Sequence, residues 1–106
     1  MLGVKIEITR FVDDYQPGVV EGLLVDAQGD RHVFIEKVPI VTSQYLDANS
    51  TYPQAGVIAC QVVGRRALNG YELVKIDTTT PWLIESTTGE ALFDVLAEQL
   101  VEIDQN

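Results

Sequence analysis

The sequence predicts a mainly β protein, a small antiparallel β-barrel or rolled sheet of about six strands with a short C-terminal helix. Three observations lead to this prediction: apolar and polar residues alternate in short runs, turn residues separate the runs at near-regular spacing, and Asn69-Gly70 is a strong hairpin signal. The 106 residues are 46% hydrophobic and 22% charged, which indicates a single domain over residues 1–106 with one core.

The first half of the chain contains three predicted strands. They cover 4–9, 19–26 and 31–38. Val4, Ile6 and Ile8 alternate with polar residues, as in a strand with one buried face. Turn residues ending in Pro17-Gly18 separate the first two strands, and a hairpin tip separates the second and third. Pro39 ends the third strand because proline has no N–H to donate to a neighbouring strand.

A long connection with two tyrosines follows the third strand. Residues 42–56 lack sustained alternation, and one helical turn is predicted near Ser43 to Leu46. A connection of this length inside a compact domain is usually functional or mobile. Tyr45, Tyr52 and, farther along the chain, Trp82 lie beside turn residues. Such aromatics either anchor a protein interface or plug the end of a small barrel.

Three more strands are predicted in the second half of the chain. They cover 57–66, 71–77 and 82–86. The first of these is apolar on both faces, as in a central or barrel strand. Asn69-Gly70 predicts a type I′ turn, because both central positions of that turn need positive φ. This turn would pair Leu68 with Tyr71 across the hairpin.

The C-terminal segment 90–103 fits both a helix and a strand. As a helix, it carries an acidic stripe in which carboxylates recur every four residues. The stripe consists of Glu90, Asp94, Glu98 and Glu102. As a strand, it carries an apolar face. That face consists of Ala91, Phe93, Val95, Ala97 and Val101. The helix is favoured because Thr87 and Glu90 fit a capping box and the segment is rich in helix formers, although like charges four residues apart repel.

Charge excludes one large class of partners. The formal net charge is −9, and no Lys, Arg or His occurs from Ile76 to Asn106. Such a chain repels nucleic acid and anionic lipid. The negative charge serves either solubility alone or the attraction of a basic protein, and the sequence does not decide between them. Arg65-Arg66 is too small a basic cluster to reverse this prediction, and Glu72 is its expected cross-strand partner. Without a signal core or an apolar run of about 20 residues, a cytoplasmic location is expected.

No catalytic set, metal site or cofactor is predicted from the residue types and their spacing. His32 is the single histidine, with Glu36 as a neighbour that could orient it, and a rim position is the simpler interpretation. Cys60 is the single cysteine and is expected to be a buried hydrophobe. Glu36 and Glu85 stand among apolar residues, where desolvation would raise the pKa of a carboxyl group. The simpler interpretation is that both face outward on half-buried strands or, for Glu36, that it pairs with a basic residue on a neighbouring strand.

Three segments resemble a known group of sequences. The segments are 34–39, 52–60 and 81–86. They are similar to stretches of a family of short, acidic bacterial proteins of unknown function. The resemblance implies no activity, cofactor or site. The strand-rich layout is also similar to the barrel domains of translation factors, which is a likeness of fold only.

The leading functional prediction is a non-catalytic acidic module that binds a basic protein, as an immunity or inhibitor protein does. Its steering residues would be the four acids of the stripe, with Trp82 and Tyr52 as anchors. One alternative is a ligand binder or enzyme with a barrel-end pocket. That pocket would be lined by Tyr45, Tyr52, Trp82 and Glu36 or Glu85. A structural, oligomer-forming protein is the other alternative, and the sequence does not set an oligomeric state.

Overall fold

The computed structural model describes residues 1–103, and this part of the chain folds into antiparallel β-sheets with little helix. Its eight strands are Leu2–Asp13 (β1), Val19–Val25 (β2), Arg31–Lys37 (β3), Gln54–Ala59 (β4), Gln61–Leu68 (β5), Tyr71–Asp77 (β6), Leu92–Leu96 (β7) and Leu100–Glu102 (β8). The helical elements are Val38–Val41 (α1) and a 3₁₀ helix, Ala97–Gln99. The prediction of a mainly β fold is therefore confirmed.

The strands form two sheets, and no closed barrel is found within residues 1–103. The first sheet has the order β3-β2-β1-β4, with β8 also paired with β1, and the second has the order β5-β6-β7. The predicted strand 57–66 is divided between them at Cys60. The Cys60 N–H donates to the Leu2 carbonyl oxygen at 3.0 Å, so β1 is the partner strand of this segment up to Cys60. Beyond it β6 becomes the partner strand.

The core lies on the inner faces of both sheets. Val4, Ile6 and Ile8 of β1 are all buried, as the alternation predicts. The Phe34 and Phe93 rings meet edge to face with centroids 5.8 Å apart, which joins β3 of the first sheet to β7 of the second. Cys60 is also buried, and burial raises the pKa of its thiol to about 11. The prediction that Cys60 is a buried hydrophobe is thus confirmed.

The predicted C-terminal helix is wrong. The segment instead forms β7, the 3₁₀ helix and β8. Phe93 and Val95 are both buried, and they pair with β6 opposite Ile76 and Val74. Two residues that are two positions apart lie on nearly opposite sides of a helix, so only a strand buries both in one core. The 3₁₀ helix ends the alternation and leaves Ala97 exposed, which the strand interpretation did not foresee.

Two other elements differ from prediction. The helical turn lies at Val38–Val41 and not near Ser43 to Leu46, because Pro39 sits in the first turn, where its fixed φ suits a helix and its missing N–H is not needed. The predicted strand 82–86 is part of an irregular loop between β6 and β7. This loop positions the candidate site described below.

The hairpin between β5 and β6 agrees with prediction. Asn69 and Gly70 both have positive φ, +51° and +82°, and Leu68 pairs with Tyr71. The Arg65 guanidinium lies 2.6 Å from the Glu72 carboxylate, which is the partner predicted for the basic pair. Both side chains are exposed, so this ion pair contributes little to stability.

Candidate functional site

The loop between β6 and β7 is closed at its base by Thr78. This residue is 0% exposed. Its N–H donates to the Ala91 carbonyl oxygen at 3.0 Å, and its Oγ1 donates to the Ile84 carbonyl oxygen at 2.7 Å. The Ile84 N–H returns a hydrogen bond to the Thr78 carbonyl oxygen at 3.0 Å. A buried hydroxyl with this pairing fixes the two ends of the loop against each other.

The tip of the same loop presents apolar side chains to solvent. Trp82 is 44% exposed and Leu83 is 81% exposed. Leu83 has φ +57°, a left-handed conformation that costs a residue with a side chain about 1–3 kcal/mol. Its N–H donates to the Thr79 carbonyl oxygen at 2.8 Å, which holds this conformation. The tip of the loop thus presents two apolar side chains to solvent on a strained backbone.

The start of the loop is held by Asp77, the last residue of β6. Its Oδ1 accepts hydrogen bonds from the Thr79 Oγ1, at 2.6 Å, and from the Thr79 N–H, at 2.9 Å. Both bonds lower the pKa of the Asp77 carboxyl group, and the bond from the Thr79 side chain has the larger effect. Asp77 therefore stays ionised at neutral pH and keeps the first turn of the loop closed.

Trp82 forms one side of an apolar groove with a volume of about 540 Å³. Ile40 of α1 lines another side, Ala55 and Val57 of β4 contribute further lining, and Ile103 also lines it. No charged side chain lines the groove within the described part of the chain. The groove is thus a concave apolar surface beside an exposed tryptophan.

Gly56 is the reason that α1 packs closely against β4 beside the groove. A methyl group at Gly56 would lie 2.8 Å from the Ile8 Cγ1 and 3.1 Å from the Val41 carbonyl oxygen. Both distances are shorter than ordinary van der Waals contact, and the second involves backbone that cannot move aside easily. A glycine at this position therefore brings Ile40 and Val41 of α1 to the lining of the groove.

The structure does not bring the predicted pocket residues together. Tyr45 is fully on the surface, Tyr52 packs against the core with its Oη donating to the Asp47 carbonyl oxygen at 2.7 Å, and Glu85 is exposed. Glu36 is half-buried, and desolvation raises its pKa, as the sequence suggested. None of these four lines the groove, so Trp82 is its one member of the predicted set.

The four acids predicted to steer a partner do not form a stripe, since the segment is not helical. Three of them lie close to basic groups of the chain itself. Glu90 Oε2 lies 3.5 Å from His32 Nδ1, Asp94 Oδ2 lies 3.3 Å from Arg66, and Glu102 Oε1 lies 2.9 Å from the N-terminal ammonium. Glu98 is exposed in the 3₁₀ helix. Their charges still add to the net −9 of the chain, which acts at long range.

A second polar cluster surrounds His32. Its Nε2 lies 2.8 Å from the Asp26 Oδ2, and its ring packs against Phe93 with centroids 4.7 Å apart. Sequence reasoning proposed Glu36 as the neighbour of this histidine, but the hairpin between β2 and β3 brings Asp26 to it instead. With Glu90 on its other ring nitrogen, His32 links the hairpin to the entry of β7.

Hydrogen bonds control the ionisation of Asp26. Burial by itself would raise the pKa of this carboxyl group, but the bonds from His32 and from the N–H groups of Gln28 and Asp30 together lower it. Within residues 1–103, no group of three His, Cys, Asp or Glu side chains could hold a metal ion. The contacts of His32 with Asp26 and Glu90 connect the β2–β3 hairpin to the entry of β7.

No protein-family model, curated protein or solved structure matches this chain. The resemblance to short, acidic bacterial proteins stays a prediction. Among residues 1–103 there is also no helix with the length and apolar character needed to cross a membrane.

Proposed function

We propose that this protein is a non-catalytic binding module. Its contact surface is the loop between β6 and β7, which we name the Trp82 loop, together with the adjoining apolar groove. The observation that carries the proposal is the tip of the loop, where Trp82 and the strained Leu83 stand exposed on a base closed by the buried Thr78. Tryptophan is enriched among the residues that dominate binding energy at protein interfaces. A loop that is already ordered loses little conformational entropy when it binds.

A basic protein is the partner class that the charge of the chain favours. The net charge of −9 steers cations toward the molecule, and the segment that carries Trp82 contains no positive residue from Ile76 onward. An immunity or inhibitor protein that covers a basic toxin or enzyme has this combination of long-range attraction and an apolar anchor. Because three of the four predicted steering acids have partners within the chain, the net charge and not one stripe supplies the steering.

Differential capture tests the proposal. The wild-type protein and a Trp82→Ala/Leu83→Ser variant would be immobilised, exposed to the lysate of the native cell, and eluted with increasing salt for mass spectrometry. The matched control is Tyr15→Ala, which removes an exposed aromatic side chain from a different loop. Loss of an aromatic anchor typically reduces affinity by about 2 kcal/mol or more, which is about 30-fold.

The expected result is a basic protein that the wild type and the Tyr15→Ala control retain and the double variant loses. Its elution at moderate salt would agree with electrostatic steering. Equal retention by all three proteins would show that the Trp82 loop is not the contact surface. A partner that is acidic would contradict the assignment of the partner class.

The groove also supports a second candidate function, the binding of a small apolar ligand. Its volume of about 540 Å³ falls in the range of small-molecule sites, and its lining is mostly apolar. Since neither Glu36 nor Glu85 lines it, this candidate carries no acid–base chemistry. A library of apolar compounds screened by thermal shift would support it if a compound stabilises the wild type and not Trp82→Ala.

A further inference from the structure

Strand β4 is an end strand of the first sheet. It pairs with β1 and, among the described residues, with no other strand. Cys60 is opposite Leu2, and its N–H donates to the Leu2 carbonyl oxygen at 3.0 Å. Hydrogen-bonded positions alternate along an antiparallel pair. It follows that Ala55, Val57 and Ala59 point their N–H and C=O groups away from β1. Ala59 is fully buried, so the accessible part of this edge consists of Ala55 and Val57.

This edge lacks the protection that end strands usually have. Natural proteins place charged residues or proline on such strands to prevent pairing with other chains. Strand β3 carries Arg31 and Lys37, and strand β5 carries Arg65 and Arg66. From Gln54 to Ala59, β4 has no charged residue and no proline. The accessible part of the edge, at Ala55 and Val57, is therefore uncharged and available for pairing.

The same residues that form the open edge also line the groove. Ala55 and Val57 contribute both outward backbone groups and groove-lining side chains, and Trp82 stands beside them. A strand added to β4 would place every second side chain on the face of the groove and the intervening ones on the other face. Extended peptides bind to sheet edges in this way, with backbone hydrogen bonds for affinity and side-chain pockets for specificity.

We infer that β4 accepts an extended segment of the basic partner as an additional antiparallel or parallel strand. This inference rests on the proposed function and gives it a mode of recognition. The recognised segment alternates apolar residues, which enter the groove beside Trp82, with Lys or Arg, which the net charge of −9 attracts to the molecule. Its central residues pair with Ala55 and Val57.

A synthetic probe tests the added strand directly. The probe is an octapeptide of alternating lysine and valine, and the readout is fluorescence of Trp82, the single tryptophan of the chain. Its matched control has the same composition with N-methyl groups on alternate backbone amides, so that side chains are kept and strand hydrogen bonds are lost. A second comparison uses the Ala55→Pro variant, which removes an outward N–H but none that bonds to β1.

The expected result is a saturable blue shift of Trp82 emission with the unmodified peptide. The N-methylated peptide, and the Ala55→Pro variant with the unmodified peptide, would bind at least about tenfold more weakly. Equal binding of both peptides would overturn strand addition and leave the proposed contact surface intact, because the capture experiment tests that surface separately. Absence of a saturable shift with the unmodified peptide would also overturn it.

A second copy of the chain is the competing occupant of the edge. Light scattering on the wild type and on Ala55→Pro distinguishes it from a peptide segment. A wild-type dimer that Ala55→Pro dissociates would assign the edge of β4 to self-association and overturn the inference. A wild type that stays monomeric, at a mass of 11.7 kDa, leaves the edge open to a partner and agrees with it.

Discussion

At the scale of single residues, Asp26 carries a carboxylate with three hydrogen-bond partners. Its Oδ1 accepts the N–H groups of Gln28 and Asp30 at 2.9 and 3.0 Å, and its Oδ2 lies 2.8 Å from the His32 Nε2. These bonds lower its pKa in the folded protein although burial opposes them. An acid with a lowered folded pKa stabilises the fold above its unfolded pKa, and this contribution disappears as pH falls through the folded value.

The Asp26→Asn substitution should therefore destabilise the protein in a pH-dependent way. Near neutral pH we expect the free energy of unfolding to fall by about 1.5–3 kcal/mol, the range for hydrogen bonds to a charged group. Between about pH 5 and pH 2 the wild type loses the same contribution, so the two proteins converge. Urea denaturation across this pH range measures the difference. Asp14→Asn, in an exposed turn, is the control and should match the wild type throughout.

An equal decrease in the free energy of unfolding for Asp26→Asn and Asp14→Asn at neutral pH would contradict this account. So would a difference in that free energy between Asp26→Asn and the wild type that grows as the pH falls.

The sequence alone did not reveal the role of Asp26. It identified His32 as a rim residue with Glu36 as neighbour, because both lie on one strand. Asp26 is six residues from His32, and the contact depends on how the hairpin turn closes. Such a contact requires the turn geometry and the strand register, which residue types do not determine.

At the scale of elements, the Trp82 loop depends on the buried hydroxyl of Thr78. The substitution Thr78→Val keeps the shape of the side chain but removes the bond to the Ile84 carbonyl oxygen. We expect it to lower the free energy of unfolding by about 1–3 kcal/mol, because a buried carbonyl loses its partner. The near-ultraviolet circular dichroism of Trp82 should also weaken as the loop loses order.

Thr80→Val is the matched control for this experiment, because Thr80 lies in the same loop and is exposed. It should change the free energy of unfolding by no more than about 0.5 kcal/mol and should leave the tryptophan signal unchanged. If Thr78→Val weakened stability but left the Trp82 signal and partner capture unchanged, the base of the loop would not be what orders its tip.

The elements differ in how well the sequence predicts them, and the difference follows from where their partners lie. The β5–β6 hairpin has its partner strand two residues away and a turn that positive φ selects, so Asn69-Gly70 predicts it correctly. The segment 90–103 pairs with β6 and with the start of β1, which lies at the other end of the chain. Its helix formers favour a helix locally, but non-local pairing and burial outweigh propensities that differ by less than about 1 kcal/mol per residue.

The candidate site follows the same rule. Trp82 was identifiable because an aromatic residue after proline in a turn-rich segment stands out. The groove could not be identified from the sequence, because it is formed by α1, β4, the Trp82 loop and Ile103, which are distant in sequence. Leu83 gave no signal, because its positive φ is imposed by the closed loop and is unusual for leucine.

At the scale of the whole molecule, the two ends of the described chain meet. The Ile103 N–H donates to the Met1 carbonyl oxygen at 2.6 Å, the N-terminal ammonium lies 2.9 Å from Glu102, and β8 pairs with the first residues of β1. The fold thus holds residues 100–103 against the start of β1. Proteins with adjacent ends tolerate circular permutation when the new ends open an exposed turn.

A permutant in which a short glycine–serine linker joins Ile103 to Met1, and which opens between Asn69 and Gly70, should therefore fold. Gly70 stands at an exposed tip, and a side chain there would meet no other atom within 4 Å. We expect cooperative urea unfolding, with a free energy lower than wild type by about 1–3 kcal/mol because the β5–β6 pair becomes non-local. A second permutant, opened between Ile6 and Glu7, interrupts β1, which pairs with three strands, and should not unfold cooperatively. If both permutants failed, closure of the sheet by β8 would not be enough to hold the ends together; if both folded, β1 would not be the strand that organises the first sheet.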